Sequence, residues 1–210
     1  MARTRPVPYD ISEAATHLRR ADRAMRRLVD RVGPLALRRS AGDAYHALAR
    51  SIVFQQLAGA AASTIYARAC ALGEGGRFPE PAALLALPAE RLRAAGLSAG
   101  KQAALKDLAQ KTLDGVVPGP RALARMDDAA IVERLTQVRG IGRWTVEMML
   151  IFHLGRPDVW PIDDYGVRKG YARVFGLDDL PTPRALAELG APFSPYRSAA
   201  AWYLWRALDG

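Results

Sequence analysis

The sequence predicts an all-α fold. Apolar residues recur at helical spacing along most of the chain, as in Leu48, Ile52 and Val53. No segment sustains the apolar–polar alternation of a strand. Proline, glycine and aspartate interrupt the periodic stretches at short intervals, which suits about ten to twelve short helices.

Taken in order, residues 1–10 read as extended because Pro6 and Pro8 interrupt them. From Ile11 to Val32 the pattern is one Arg-rich helix with Leu18, Met25, Leu28 and Val29 on a shared face, and residues 34–39 are a short connection. Tyr45 to Ala71 predicts helix, a break at Gln55-Gln56-Leu57-Ala58-Gly59, and helix again. Pro81 opens the next segment, since proline fits the first helical turn. Turns follow at Leu87-Pro88-Ala89-Glu90 and Gly96-Leu97-Ser98, the second leading into the face of Lys101, Leu105, Leu108 and Ala109. Pro118-Gly119-Pro120 is a firm break, after which Asp127-Asp128 caps a helix through Ile131 to Leu135. Trp144 to His153 is helical, and Asp163-Asp164 caps Tyr165 to Phe175. Thr182 and Pro183 open one more helix, and Ser198 to Leu208 forms the last.

Bulk properties narrow the function. The 210 residues suffice for one domain or two small lobes with a real core. The net charge of +9 favours a polyanionic partner, although 26 Arg against 4 Lys also fits an Arg-rich proteome. Cys70 is the single cysteine, which excludes an internal disulfide, a Cys-ligated iron–sulfur cluster and a multi-thiolate zinc site. Its apolar helical setting predicts a buried thiol. No apolar run reaches the length of a membrane span, and the start MARTRPVPYD lacks a signal-peptide core, so a cytoplasmic protein without membrane contact is expected. His17, His46 and His153 have no metal-ligand spacing. The Arg-rich run from Arg19 to Arg39 reads as a charged helix face, because Asp22 and Asp30 interrupt it.

The chemistry-bearing stretch is LTQVRGIGRWTVEMMLIFHLGRPDVWPIDD, Leu135 to Asp164. Gly140-Ile141-Gly142 breaks two helices. Such a break turns the backbone sharply with φ > 0 and bares N–H groups that bind an anion, such as a DNA phosphate. Arg143 and Thr145 add side chains for the same backbone. The bland alternative is a glycine C-cap joining two packed helices. Asp164 lies about two dozen residues later, where its carboxylate could work on a nucleic acid held there. The alternative for the Asp pair is capping alone.

LTQVRGIGRWT followed by PIDDYGVRKG resembles the helix-hairpin-helix DNA glycosylase superfamily, and within it the 3-methyladenine DNA glycosylase II branch. SIVFQQLAGAAASTIYAR, GLSAGKQAALKDLA and YRSAAAWYLWRAL resemble three further signatures, so the likeness spans most of the chain and is to the shorter, all-helical form. It implies two helical lobes flanking a DNA-binding cleft, one of residues 46–165 and one of 1–45 with 166–210, in a single catalytic module. It also implies a monomer that releases alkylated purines of the 3-methyladenine and 7-methylguanine type from duplex DNA.

Residue by residue, the resemblance makes Asp164 the catalytic carboxylate, which would stabilise oxocarbenium character at C1′ and orient or deprotonate water. Asp163 would cap or prop the loop. Trp144 stands where strand-cutting relatives carry a lysine; an indole cannot form a Schiff base, so base release without strand cleavage is implied. Trp144, Met148, Tyr165 and Trp205 would line the base pocket, aromatic faces attracting a cationic alkylpurine; Met148 departs from the aromatic of some relatives, and Trp144 could instead be core. Trp202 and Tyr203 read as core. Gln56, with Leu57 beside it, would be the wedge filling the gap of the extruded nucleotide, or else the glutamines are merely solvated. Lys101 could touch phosphate or be solvated. The carbonyls of Thr136, Val138 and Ile141 would hold a monovalent cation bridging to phosphate; no organic cofactor is implied. The rivals are a non-catalytic DNA-damage-binding module, a glycosylase for deaminated or oxidised bases, and a strand-cutting lyase.

Overall fold

The structure, a computed structural model, describes residues 4–209. In chain order its elements are β1 (Thr4–Pro6), α1 (Ile11–Ala21), α2 (Arg23–Val32), β2 (Arg38–Ser40), α3 (Ala44–Phe54), α4 (Gly59–Cys70) and α5 (Pro81–Ala86). There follow α6 (Ala89–Ala94), α7 (Ala99–Leu113), α8 (Pro120–Arg125), α9 (Asp128–Leu135), α10 (Arg143–Met149), α11 (Tyr165–Phe175), α12 (Pro183–Leu189) and α13 (Arg197–Arg206). The fold is therefore all-α, as its sequence periodicity requires. The described residues fall into two compact units: Gly42–Met149, and the chain up to Ala41 together with everything from Leu150 onward.

In the Gly42–Met149 unit, α7 packs against α3, α5 and α6, and α10 against α3 and α9. Leu48, Ile52 and Val53 of α3 meet Leu84, Leu92, Leu105 and Leu108 in a fully buried core. Burying each such side chain contributes about 1.5–3 kcal/mol. Polar caps end the water-exposed turns: Asp43 accepts from His46 N–H, Ser98 from Lys101 N–H and Asp127 from Ala130 N–H.

In the other unit α1 packs on α2, and α13 on α1, α2 and α11. Leu18, Met25, Val29, Val167, Leu186, Phe193, Tyr203 and Leu204 are its buried core.

Three expectations are corrected. The single helix over 11–32 is two, because Asp22 leaves helical geometry (φ −155°, ψ 148°) and its side chain accepts from Ala24 and Met25 N–H. The extended start pairs with part of the 34–39 connection as an antiparallel ribbon, Thr4 opposite Ser40 and Pro6 opposite Arg38; strands of three residues leave no alternation to read. The lobe expected to run to residue 165 ends at Met149. From Leu150 the helix continues as one π-helical turn to Leu154 packed on β2, where Ser40 Oγ donates to Phe152 O and meets His153 Nδ1 at 3.0 Å. The loop after it belongs with α13: Ser198 Oγ donates to Arg156 O, and Val159 N–H donates to Ser198 Oγ.

Candidate functional site

The hairpin between α9 and α10 is a backbone device held from below. Val138 and Ile141 are buried and anchor it in the core. Ile141 N–H closes a turn onto Val138 O at 3.0 Å, and Gly140 carries φ +77°. Asp107 of α7 accepts Arg139 N–H at 2.7 Å and Lys111 Nζ at 2.8 Å. Burial alone would raise the Asp107 pKa, but these hydrogen bonds and the charges of Lys111 and Arg139 outweigh it and hold the carboxyl below the usual range. Gln55 Nε2 donates to Gly140 O at 2.9 Å, tying the α3–α4 turn to the hairpin.

The two glycines differ. Gly140 needs its left-handed backbone. Gly142 has no positive φ, and a Cβ built on it would meet nothing within 4 Å. The expected φ > 0 thus applies to Gly140 alone, and nothing within the chain requires glycine at 142. Gly142 O accepts Val146 N–H at 3.2 Å, which puts it at the N-cap of α10, a position glycine suits.

Of the two flanking side chains, Arg143 is exposed and ion-paired at 2.8 Å with Glu147, whereas Thr145 is only 6% exposed. Thr145 offers little surface to a DNA backbone and lines the cavity beside the α3–α4 turn. Lys101, read as a phosphate contact or a solvated lysine, has a partner within the protein. Its Nζ donates to Val53 O at 2.6 Å, satisfying a carbonyl near the end of α3, and burial pulls its pKa down.

At the α3–α4 turn, Gln56 is the one non-glycine residue with positive φ among the described residues (+57°), and it and Leu57 are exposed. Such a conformation is costly for a side-chain-bearing residue and holds only when its surroundings impose it. A cavity of about 480 Å³ opens beside this turn, lined by Arg50, Phe54, Gln55, Gln56, Trp144 and Met148 among others. Trp144 is 46% exposed, so it is a cavity wall and not core. Arg50 lies over the Phe54 ring at 3.9 Å; neither residue was singled out by sequence reasoning.

Asp164, Tyr165 and Trp205 gather in the other unit. Asp164 is the N-cap of α11: its Oδ1 accepts Val167 N–H at 2.7 Å. Asp163, expected to cap, is exposed instead. Asp164 is only 8% exposed, and the Trp205 indole N–H donates to the same Oδ1 at 2.9 Å. Tyr165 is 61% exposed, with Lys169 Nζ 5.9 Å from its ring centre. Phe152, missed in the sequence, is exposed and stacks on Trp205 with centroids 5.5 Å apart. Its signal was an aromatic in LIFHL that a regular helix assigns to no face; the π turn sets its direction. Tyr203 is core as expected, while Trp202 is half-buried beneath Arg206. Cys70 is half-buried, not fully buried.

Among the described residues no group of three or more His, Cys, Asp or Glu side chains could hold a metal ion, and no helix is long and apolar enough to cross a membrane. The Thr136, Val138 and Ile141 carbonyls are neutral oxygen donors. Val138 O already receives one N–H, which leaves a lone pair for a hard monovalent cation.

The sequence profile of the HhH-GPD superfamily of base excision DNA repair proteins matches residues 49–195. The chain is 39% identical over 202 residues to DNA-3-methyladenine glycosylase 1 of Schizosaccharomyces pombe, covering 95% of this chain and 89% of that protein. It is 33% identical over 199 residues to the alkylbase DNA glycosidase-like protein mag2 of the same yeast, covering 94% and 93%. The solved structure of the S. pombe 3-methyladenine DNA glycosylase in complex with abasic DNA superposes with a TM-score of 0.84 at 40% identity, over 92% of this chain and 95% of that one.

Proposed function

Because this chain belongs to the HhH-GPD superfamily of base excision DNA repair proteins, we propose that it is a monofunctional DNA glycosylase. It flips an alkylated purine out of duplex DNA and hydrolyses its N-glycosidic bond, leaving an abasic site. The observation that carries this is the Asp164 carboxylate, shielded from water and fixed through Oδ1 beside the Trp205–Phe152 stack and the exposed Tyr165 ring.

Each part has a task that its chemistry suits. Bare backbone at Gly140-Ile141-Gly142 and the exposed Arg143 take the DNA phosphates, which positions the duplex without reading sequence. Thr136, Val138 and Ile141 would hold a monovalent cation, which when bound adds positive charge for a phosphate. Gln56, with Leu57 beside it, fills the gap left by the extruded nucleotide. N3- or N7-alkylation makes the purine cationic and weakens its bond to the sugar; the aromatic faces that would attract it are Trp144, beside Met148, in the Gly42–Met149 unit and Tyr165 and Trp205 in the other. As the bond breaks, Asp164 faces the positive charge growing at C1′ and takes a proton from the attacking water. Position 144 offers an indole and no amine, so C1′ is attacked by water and no covalent DNA adduct forms. The protein works as a monomer.

The test uses duplexes that each carry one defined lesion, scored for freed base before any strand-cleaving treatment. The wild type releases 7-methylguanine, and Asp164→Asn loses release by about a hundredfold or more while still binding. Binding without release in both proteins overturns the enzyme reading in favour of a damage-binding module. Release confined to deaminated or oxidised bases overturns the substrate class. Borohydride trapping of a DNA adduct overturns the assignment of Trp144.

A further inference from the structure

Two donors converge on Asp164 Oδ1. Val167 N–H, at 2.7 Å, is local and comes with the helix cap. The Trp205 indole N–H, at 2.9 Å, comes from α13, 41 residues along the chain. A cap bond by itself holds Oδ1 from one side; the second donor, from another element, holds the same oxygen from a second direction. Both donors are neutral. An arginine or lysine in the place of Trp205 would also orient the carboxylate, but it would cancel the negative charge needed opposite a developing cation.

The glycine two residues after Asp164 has a matching explanation. Gly166 lies inside α11 without positive φ, so its backbone does not require glycine, and alanine is intrinsically the better helix former there. Yet a Cβ at 166 would stand 2.8 Å from Trp205 Cδ1, 3.0 Å from its Nε1 and 3.1 Å from Asp164 Oδ1. Those are the atoms of the hydrogen bond itself. The absent side chain is the space through which the indole reaches the carboxylate. On its other side the ring is backed by Phe152, with planes inclined at 29°.

Resting on the glycosylase reading, we propose that Trp205 is a positioning residue as well as a pocket wall: its indole N–H orients the Asp164 carboxylate, and Gly166 is the clearance that admits it. Trp205 then acts on the chemical step through Asp164, and removing only its N–H costs rate and not DNA affinity.

The cleanest variant replaces Trp205 with benzothienylalanine, which keeps the bicyclic ring and substitutes sulfur for N–H; Trp205→Phe and Gly166→Ala are the genetic counterparts. Single-turnover release of 7-methylguanine is expected to fall roughly tenfold or more in each. The dissociation constant for duplex containing an abasic-site analogue is expected to stay within about twofold, a split that a merely structural role would not give. A benzothienylalanine variant releasing base at the wild-type rate overturns the proposal while leaving the glycosylase reading intact. A second readout does not depend on activity. In the wild type the Trp205 indole N–H resists hydrogen exchange, and Asp164→Ala exposes it; unchanged protection in Asp164→Ala overturns the proposal. If the wild type releases no base from any lesion, the functional reading fails and the exchange measurement alone decides the hydrogen bond.

Discussion

The loop that ends in Asp164 is clamped to the start of α13, and breaking the clamp gives a prediction with a definite size. Arg197 grips Asp158 with both arms of its guanidinium, Nε to Oδ1 at 2.7 Å and Nη2 to Oδ2 at 2.8 Å. Arg197 N–H and Ser194 Oγ add donors at 3.2 and 2.9 Å. The side chains are 32% and 28% exposed, so the pair lies between a surface bridge of about 0–1 kcal/mol and a buried one whose disruption costs about 3–5 kcal/mol. Asp158→Ala removes four acceptor contacts and leaves a half-buried guanidinium without its counter-charge, which sets the loss at about 2 kcal/mol. For a chain of this length that lowers the midpoint of thermal unfolding by roughly 4–8 °C. Burial alone would raise the pKa of Asp158, but the hydrogen bonds from Arg197 and Ser194 and the charge of Arg197 hold it below the usual range. The folded-state pKa is therefore lower than the unfolded one. The stabilisation is complete above about pH 4, the unfolded value, and is lost as pH falls through the depressed value. Thermal melts of wild type and Asp158→Asn are expected to differ at pH 7 and to converge as the pH falls through the depressed folded-state value. The double variant with Arg197→Ala should lose much less than the sum of the singles. A midpoint within about 1 °C of wild type for Asp158→Ala, or strict additivity in the double variant, refutes the clamp.

Two further outcomes follow from the Gly42–Met149 unit. Gln55→Ala removes the bond to Gly140 O; stability should fall by about 1 kcal/mol, and binding of undamaged duplex, followed by fluorescence anisotropy, should weaken while salt dependence persists. Equal affinity and equal stability would show that the turn and the hairpin are held independently. His46 has a pKa raised chiefly by the hydrogen bond from its ring to Asp43, against the opposing effect of burial. Its contribution to stability is full below the unfolded value of about 6.5 and is lost as pH rises through the higher folded value. His46→Gln should therefore flatten the melting midpoint between about pH 6 and 8; a wild-type midpoint already flat across that window contradicts the assignment.

What was legible in the sequence was local. Pro81, Gly119-Pro120, Asp127 and Thr182-Pro183 mark helix starts because capping and proline geometry act within one turn. The break at 55–59 and the hairpin at 140–142 showed for the same reason. Asp22 did not: it sits in a run of arginines where a carboxylate reads as charge balance, and the apolar face continues across it. The contacts that build the candidate site lie far apart along the chain. Trp205 bonds to Asp164 across 41 residues, Gln55 to Gly140 across 85, and Asp107 to Arg139 N–H across 32. Periodicity carries no information about such pairs. The resemblance found the residue types but not their partners, so Trp205 was read as a pocket wall without its bond to Asp164. The unit boundary was displaced for a related reason: Asp164 follows the hairpin closely in sequence, but its loop is bonded to α13.

Both halves of the proposed machinery follow one physical rule. A group that must meet a polyanion or a developing cation is kept exposed or charged on its working side, and the rigidity comes from elsewhere. The hairpin presents backbone at Gly140 and Gly142, while Val138 and Ile141 root it in the core and Asp107 and Gln55 brace it from α7 and the α3–α4 turn. Asp164 is held through Oδ1 by a backbone amide and an indole N–H, neither of which carries charge. A cation in place of the indole would weaken the pull of Asp164 on C1′, and an uncompensated carboxylate on the outer side of the hairpin would repel the phosphate. Asp107 is instructive, since it is a carboxylate at the hairpin. It bonds the Arg139 N–H and is paired with Lys111, so its charge is compensated where it braces the loop.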